Sequence, residues 1–173
     1  MRLPWPHRRR ALNDDQREVL GRVVSNTRFE VIPLKNVMER VASLPAGSTV
    51  TVTASPGRGL ERTIEVATAL AGQGHRVVPH LAARMVRDRD HLDDLLASIR
   101  EAGIRRAFVV GGDASEPGEF PTGLSLLRAL VECCDEWEEL GVPAYHEGHV
   151  SIPDDALLRD LIEKQRLATF MVT

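Results

Sequence analysis

Strand-like and helix-like segments alternate along this chain, and that alternation narrows the choice of folds more than any other feature. Short apolar runs bounded by turn formers predict six strands, over residues 28–32, 49–53, 76–80, 105–110, 142–145 and 168–172. Helical periodicity predicts helices between them, over residues 36–44, 60–71, 91–102, 124–140 and 154–165. Buried parallel strands joined by crossover helices have this pattern, which predicts an α/β fold, either doubly wound or a (β/α)8 barrel.

The first 27 residues precede this alternation. Three arginines at 8–10 are either a solvated terminus or an anion-binding arm. Val19, Leu20 and Val23 recur at helical spacing, and Asn13 or Asp14 is suited to cap that helix. We therefore divide the chain into an N-terminal arm and helix, residues 1–27, and an α/β domain, residues 28–173.

Glycines and a serine mark several predicted helix ends. Gly74, Gly103 and Gly141 each follow a predicted helix and precede a strand, where a left-handed C-cap is expected. Ser151 precedes Pro153 at the start of the last helix and is a candidate N-cap.

The composition is that of an ordinary soluble globular protein. A net charge of −3 gives no reason to expect a nucleic-acid or membrane partner, and no run approaches the ~20 apolar residues of a membrane span. The two cysteines, Cys133 and Cys134, are adjacent, so they cannot form a disulfide framework, and we expect a cytoplasmic location and a packing role.

Polar residues stand near the ends of five of the six predicted strands. The carboxyl ends of parallel strands meet at one edge of a sheet, where ligands bind, so these side chains are expected on a common rim. They are Glu30, Thr53, His80, Asp113, and Tyr145 with His149.

Glu30 is unexpected because it lies inside an apolar strand. If Phe29 and Val31 face the helices, Glu30 faces the inside of the sheet. Burial there would raise the pKa of the carboxyl, as a general acid at neutral pH requires. The alternative is a buried ion pair with an arginine such as Arg28 or Arg105.

Three loop motifs admit both a functional and a structural interpretation. Asp113 follows two glycines, Gly111 and Gly112, that permit a positive φ or a close approach to a ligand, and it either binds a heterocycle or caps a turn. The loop 55–59 lacks the order of a P-loop and is read as an ordinary turn. His146 and His149 lack the spacing and the third ligand of a metal site, so no metal is expected.

Five motifs, taken in order, resemble the methylenetetrahydrofolate reductases. The family's first strand reads F-E-[FV]-x-P-x-K, and residues 29–35 read FEVIPLK. The other four matches are VTVT with a following RT at 50–53 and 62–63, PHL at 79–81, GIR with GGD at 103–105 and 111–113, and AYHEGH at 144–149.

The resemblance implies a (β/α)8 barrel enzyme of one-carbon metabolism and methionine biosynthesis. Such an enzyme reduces 5,10-methylenetetrahydrofolate to 5-methyltetrahydrofolate with electrons from NAD(P)H, usually through FAD. Glu30 matches the acid that promotes opening of the folate ring, and Asp113 matches the aspartate near flavin and pterin. Cofactor-binding positions are matched by Thr53, His80, Gly112, Asp113, Tyr145 and His149.

The sequence departs from the family where FAD is held. Gly111 replaces an arginine, Ala54 replaces a tyrosine, and Phe120 is the nearest match to a tyrosine that packs on the flavin. Arg159 and Lys164 do not fall on the family's basic positions. FAD is therefore either held differently or absent, and the missing contacts favour direct hydride transfer from the nicotinamide to the folate.

The barrel is expected to be truncated after about six strands, because the match ends in the sixth. The rest would come from a longer protein or from another chain, which allows a homo-oligomer. The alternative to a reductase is a non-catalytic folate- or nucleotide-binding module on the same scaffold.

Overall fold

The computed structural model describes residues 11–133, 136–150 and 152–173. Three predictions lie outside these residues, namely those for the arginines at 8–10, for Cys134 and for Ser151 as a helix cap.

Within the described residues, six strands form one sheet in which every neighbouring pair is parallel and the spatial order follows the chain. The strands are β1 (Arg28–Val31), β2 (Thr49–Val52), β3 (Arg76–Ala82), β4 (Arg106–Val110), β5 (Glu139–Pro143) and β6 (Phe170–Val172). The helices are α1 (Asp14–Ser25), α2 (Val37–Val41), α3 (Gly59–Gly72), α4 (Arg89–Glu101), α5 (Gly123–Cys133) and α6 (Asp154–Lys164), and a 3₁₀ turn (Ala83–Met85) follows β3.

The sheet is strongly curled. Arg28 of β1 donates a hydrogen bond to Glu139 of β5, and its guanidinium lies 4.5 Å from the centre of the Phe170 ring of β6. A flat sheet would hold β1 and β5 about 19 Å apart at ~4.8 Å per strand. The curled all-parallel sheet is therefore a half-barrel with a concave inner face, and the predicted α/β class is confirmed.

The hydrophobic core lies between the convex face of the sheet and the helices. Val50 and Val52 of β2 are fully buried in it, while Thr51 between them is only partly buried and faces the concave side. The helices contribute a continuous apolar layer that includes Leu60, Leu70, Leu92, Leu96, Leu126 and Leu130. Full burial of each such side chain contributes about 1.5–3 kcal/mol, so this layer fixes the sheet on which the site is built.

The predicted boundary between the fifth helix and the fifth strand is wrong. Helix α5 ends at Cys133 rather than at residue 140, and Glu139 already begins β5. The leucine-rich pattern extended the predicted helix to residue 140, because a buried strand residue such as Leu140 fits the same apolar pattern. Cys133 packs against the core, as predicted.

Of the three glycines predicted to be helix C-caps, two have the expected conformation and one does not. Gly74 (φ 84°) and Gly103 (φ 68°) have the left-handed conformation expected of C-caps. Gly141 does not, because it lies within β5, where a Cβ would stand 2.2 Å from Phe170 Cζ and 2.5 Å from Phe108 Cδ2. Its lack of a side chain makes room for two aromatic rings inside the half-barrel.

Helix α1 is capped as predicted but joins no core. The Asn13 side chain accepts a hydrogen bond from the Gln16 N–H at 2.8 Å, and the Gln16 side chain accepts one from the Asn13 N–H. None of its residues is buried, and Val19, Leu20 and Val23 are about half exposed. No described helix combines the length and the apolar character needed to cross a bilayer.

Candidate functional site

The concave face of the half-barrel carries the first group of candidate residues. Glu30 of β1 pairs in register with Thr51 of β2, which pairs with Val78 of β3, so these three side chains share one face. They border a cavity of about 260 Å³ that is also lined by Arg28, Phe29, His80, Phe108, Phe170 and Val172. The alternation of β1 thus puts Glu30 on the inner face, as predicted.

The predicted burial of Glu30 is wrong, because the side chain is exposed. Strand β1 is an edge strand of the sheet, so no other strand among the described residues covers its outer side. The alternative prediction, an ion pair with Arg28 or Arg105, is also wrong, since Arg28 pairs with Glu139 and Arg105 with Glu136.

His80 lies in the same cavity as Glu30. Its ring stands 4.9 Å from the ring of Phe108, measured between centroids, on the neighbouring strand. Burial lowers the pKa of His80 to about 4, since a buried imidazolium loses its hydration. The ring is therefore neutral at physiological pH and offers one donor and one acceptor nitrogen.

Thr53 has a structural role at the end of β2. Its hydroxyl donates to the Val31 carbonyl at 3.3 Å, and its own carbonyl accepts from the Thr63 hydroxyl at 3.2 Å. Thr51 borders the cavity opposite Glu30 and was missed by the sequence prediction. The strand's period of two could have found it, because Thr51 and Thr53 occupy the same face.

The glycine pair after β4 shapes the rim of the sheet. Gly112 has φ 86°, and a Cβ there would lie 3.0 Å from the Cβ of Ala82 at the end of β3. The Gly111 carbonyl accepts a hydrogen bond from the Arg84 N–H at 3.0 Å. The loop therefore needs glycine at 112 to pass close to β3, and this turn projects Asp113 into solvent.

Asp113, Tyr145 and His149 form a second group at the carboxyl edge. The rings of Tyr145 and His149 meet edge to face with centroids 5.2 Å apart. The pKa of Tyr145 is raised first by burial and then by the negative charges of Asp113 and Asp160. Asp113 therefore acts electrostatically on Tyr145 across the space between the ends of β4 and β5.

A cavity of about 410 Å³ lies beside Tyr145, between the end of β5 and α6. Its lining combines the carboxylates Asp154 and Asp160 with Leu157, Leu158 and Leu161. The described side chains that line it include His146 but neither arginine nor lysine. The cavity is thus suited to an apolar or cationic group and unsuited to an anionic one.

Lys164 is a buried cation that the sequence prediction set aside. It forms an ion pair with Asp160 and is 5% exposed. A Cβ placed on Gly123 would lie 3.5 Å from Lys164 Nζ and 3.4 Å from the backbone nitrogen of Gly111, so the ammonium lies below the end of β4. The helical spacing of Leu157, Asp160 and Lys164 indicates this inward orientation.

The two groups of candidate residues are on the same edge but do not form one cluster. Glu30 belongs to β1 and Asp113 follows β4, three places away in the sheet. That separation is about 14 Å along a flat sheet, and the curl shortens it. Both residues lie toward the carboxyl edge of parallel strands, as predicted.

The remaining loop motifs have structural explanations. Phe120, the nearest match to the family's flavin-packing tyrosine, lies in the hydrophobic core and is 6% exposed, so it does not take that place. A hydrogen bond from the Arg58 N–H to the Ser55 carbonyl at 2.9 Å closes an ordinary turn. In the described ranges no three His, Cys, Asp or Glu side chains are grouped so as to hold a metal ion.

The fold and these residues define an α/β protein with a curled parallel sheet and polar groups at its carboxyl edge. No protein-family model matches the chain.

Proposed function

We propose that this chain reduces 5,10-methylenetetrahydrofolate to 5-methyltetrahydrofolate, with NAD(P)H as the hydride donor. The observation that carries the proposal is that Glu30 and His80 border one cavity on the inner face of a curled parallel sheet. The ordered resemblance of residues 29–149 to the methylenetetrahydrofolate reductases supplies the substrate class.

The inner cavity has the chemistry that a flat heterocycle such as a pterin requires. Val78 and Phe108 supply apolar contact, while Glu30, Thr51 and His80 supply hydrogen-bonding groups around it. Because His80 is neutral, it can donate from one ring nitrogen and accept at the other. It also does not form an ion pair with Glu30.

Glu30 would act as the proton donor. A carbon–nitrogen bond of the folate's five-membered ring breaks, its electron pair stays on the nitrogen, and that nitrogen takes the proton from Glu30. The iminium carbon then accepts a hydride from the nicotinamide, which leaves as NAD(P)⁺. A bound pterin would displace water from Glu30, and removal of water favours the neutral, proton-donating form of a carboxyl.

The described residues do not fit a flavin dinucleotide at the Tyr145 end of the rim. The cavity there is lined by Asp154 and Asp160, and the ammonium of Lys164 is already neutralised by Asp160. A pyrophosphate would meet carboxylates instead of the cations and backbone N–H groups that usually hold it. We therefore derive no step through FAD and take the hydride to pass from nicotinamide to folate, with NAD(P)H bound away from this cavity.

One observation favours a non-catalytic folate- or nucleotide-binding module instead. Glu30 is exposed, so the described residues do not enclose the reacting centre as an active site usually does.

The test is oxidation of NADH and of NADPH, followed at 340 nm, with and without methylenetetrahydrofolate. Wild-type protein is expected to oxidise one of them only when the folate is present. Glu30→Gln should reduce turnover by about 100-fold or more while folate binding persists. Glu39→Gln, an exposed glutamate on α2, is the matched control and should leave turnover unchanged.

Each alternative outcome is distinguishable. Folate binding without turnover in the wild type would identify the chain as a binding module. Turnover that survives Glu30→Gln would remove the proton-donor role. A purified protein with the visible spectrum of bound flavin would overturn direct hydride transfer.

A further inference from the structure

A second polar cavity lies at the opposite, amino-terminal edge of the sheet. It has a volume of about 210 Å³ and is lined by Asn26, Arg28, Thr49, Arg76, Arg106 and Glu139. Arg28, Thr49, Arg76, Arg106 and Glu139 are the first residues of β1 to β5, so the parallel strands bring all five to one place.

Two of the arginines flank a threonine in strict register. Arg28 pairs with Thr49, and Thr49 pairs with Arg76, on three adjacent strands. At ~4.8 Å per strand the two arginine Cα atoms are about 10 Å apart, and both side chains can reach the space above Thr49. Two like charges are therefore held on either side of a hydroxyl.

The cations in this cavity outnumber the carboxylates. Arg28 pairs with Glu139 at 2.8 Å, and Arg106 pairs with both Glu138 and Glu139. Arg76 forms no ion pair with any described residue. Three guanidinium groups thus share two carboxylates, and the unmatched charge belongs to Arg76.

Two uncharged donors also face this space. The side chains of Asn26 and Thr49 make no hydrogen bond within the described part of the chain, although Thr49 is only 9% exposed. A hydroxyl and an amide beside an unpaired guanidinium are the groups that commonly bind a tetrahedral oxyanion.

We propose that this amino-terminal cavity binds phosphate, free or as a small monoester. Arg76 and Thr49 would donate hydrogen bonds to the oxyanion, and Arg28 and Arg106 would add positive charge. Glu139 would oppose binding, because its carboxylate lies in the same cavity. Arg28 also borders the inner cavity of Glu30, but Thr49, Arg76 and Arg106 line this cavity alone, so the site does not depend on the proposed reductase function.

The test is a titration with inorganic phosphate, followed by ³¹P NMR and by thermal unfolding, with sodium chloride at matched ionic strength as the reference. Saturable binding and a rise in Tm above the chloride reference are expected. Arg76→Gln should weaken binding about tenfold, since it removes a charge-assisted donor. Glu139→Gln should tighten binding by about threefold or more, since it removes the opposing charge.

Arg58→Gln is the matched control, because Arg58 is exposed, forms no ion pair among the described residues, and lies beyond the other end of the sheet. It should bind phosphate as the wild type does. Circular dichroism of each variant verifies that it is folded. A second titration with phenyl phosphate distinguishes the sources: equal or tighter binding assigns a monoester, and weaker binding assigns the free ion.

Three results would overturn the proposal. They are a phosphate response no larger than that of chloride, wild-type affinity in Arg76→Gln, and equal losses in Arg76→Gln and Arg58→Gln. The last result would mean that only the net charge of the protein matters.

Discussion

Arg28 and Glu139 join the first strand to the fifth across the inside of the half-barrel. The guanidinium donates to the carboxylate at 2.8 Å, although the residues are 111 positions apart in the chain. Arg106 of β4 approaches the other carboxylate oxygen at 3.4 Å. Glu139 is thus shared by two strands besides its own, and this relationship depends directly on the curl of the sheet.

Removing the charge of Glu139 should destabilise the fold modestly. Burial opposes ionisation of Glu139, but the hydrogen bonds and charges of Arg28 and Arg106 outweigh it, so the pKa is lowered. Because the pair is partly exposed, we expect Glu139→Gln to cost only about 1 kcal/mol in urea unfolding. Glu163→Gln, which removes an exposed pair with Arg128, should cost less. Equal losses in the two variants would mean that the contact across the half-barrel stabilises the fold no more than an ordinary surface ion pair does.

The proximity of Asp113 to Tyr145 can be measured directly, because Tyr145 is the only tyrosine in the chain. The ultraviolet titration of tyrosinate should have its midpoint above the ordinary value of 10.0, through burial and then the nearby carboxylates. Asp113→Asn should lower that midpoint, because a phenolate forms more easily away from a negative charge. Asp155→Asn, which removes an exposed carboxylate of α6, is the control. An unchanged midpoint in Asp113→Asn would show that the charge of Asp113 does not act on Tyr145.

The alternation of segments predicted the parallel sheet well because its strands are apolar and short and their turns are marked. It predicted β2 to within one residue, since Thr49–Val52 is bounded by turn formers on both sides. It failed at β5, because the end of a leucine-rich helix and a buried strand have the same local composition. Single-sequence periodicity cannot resolve that boundary without the tertiary contacts of Leu140.

The sequence predicted the candidate site only in part, because some of its features depend on residues far from the strand in question. The face on which Glu30 lies follows from the period of a strand, but its exposure depends on what covers an edge strand, and local sequence does not carry that information. Lys164 was set aside because it does not fall on the family's basic positions, whereas here it is buried and Asp160 neutralises it. Both outcomes depend on how each side chain is covered in the folded protein.

The low pKa of His80 should make the fold sensitive to acid. The unfolded histidine has a pKa of 6.5 and the folded one about 4, so the unfolded state binds more protons between these values. Stability therefore falls as the pH is lowered from about 6.5 to 4, by a contribution of roughly 2–3 kcal/mol. His80→Gln should reduce this pH dependence in urea unfolding curves recorded across that range. His146→Gln, an exposed histidine, should retain it, and identical slopes in all three proteins would contradict the burial of His80.

Gly141 should tolerate no side chain, because two aromatic rings occupy the space where a Cβ would stand. The ideal Cβ lies 2.2 Å from Phe170 Cζ and 2.5 Å from Phe108 Cδ2, well inside van der Waals contact. Relief would have to come from β6 or from the rings themselves, so we expect Gly141→Ala to cost about 2–3 kcal/mol. Gly57→Ala, where a Cβ meets nothing within 4 Å, should change stability by less than about 1 kcal/mol.

A second substitution identifies the cause of the Gly141→Ala loss. If the clash with Phe170 is responsible, Phe170→Leu should cost less in the Gly141→Ala background than in the wild type, because the smaller side chain vacates the space that the methyl needs. The four proteins of this cycle can be compared by urea unfolding at one pH. Strictly additive losses would show that the glycine is required for a backbone reason, and the aromatic filling of the half-barrel would then not explain it.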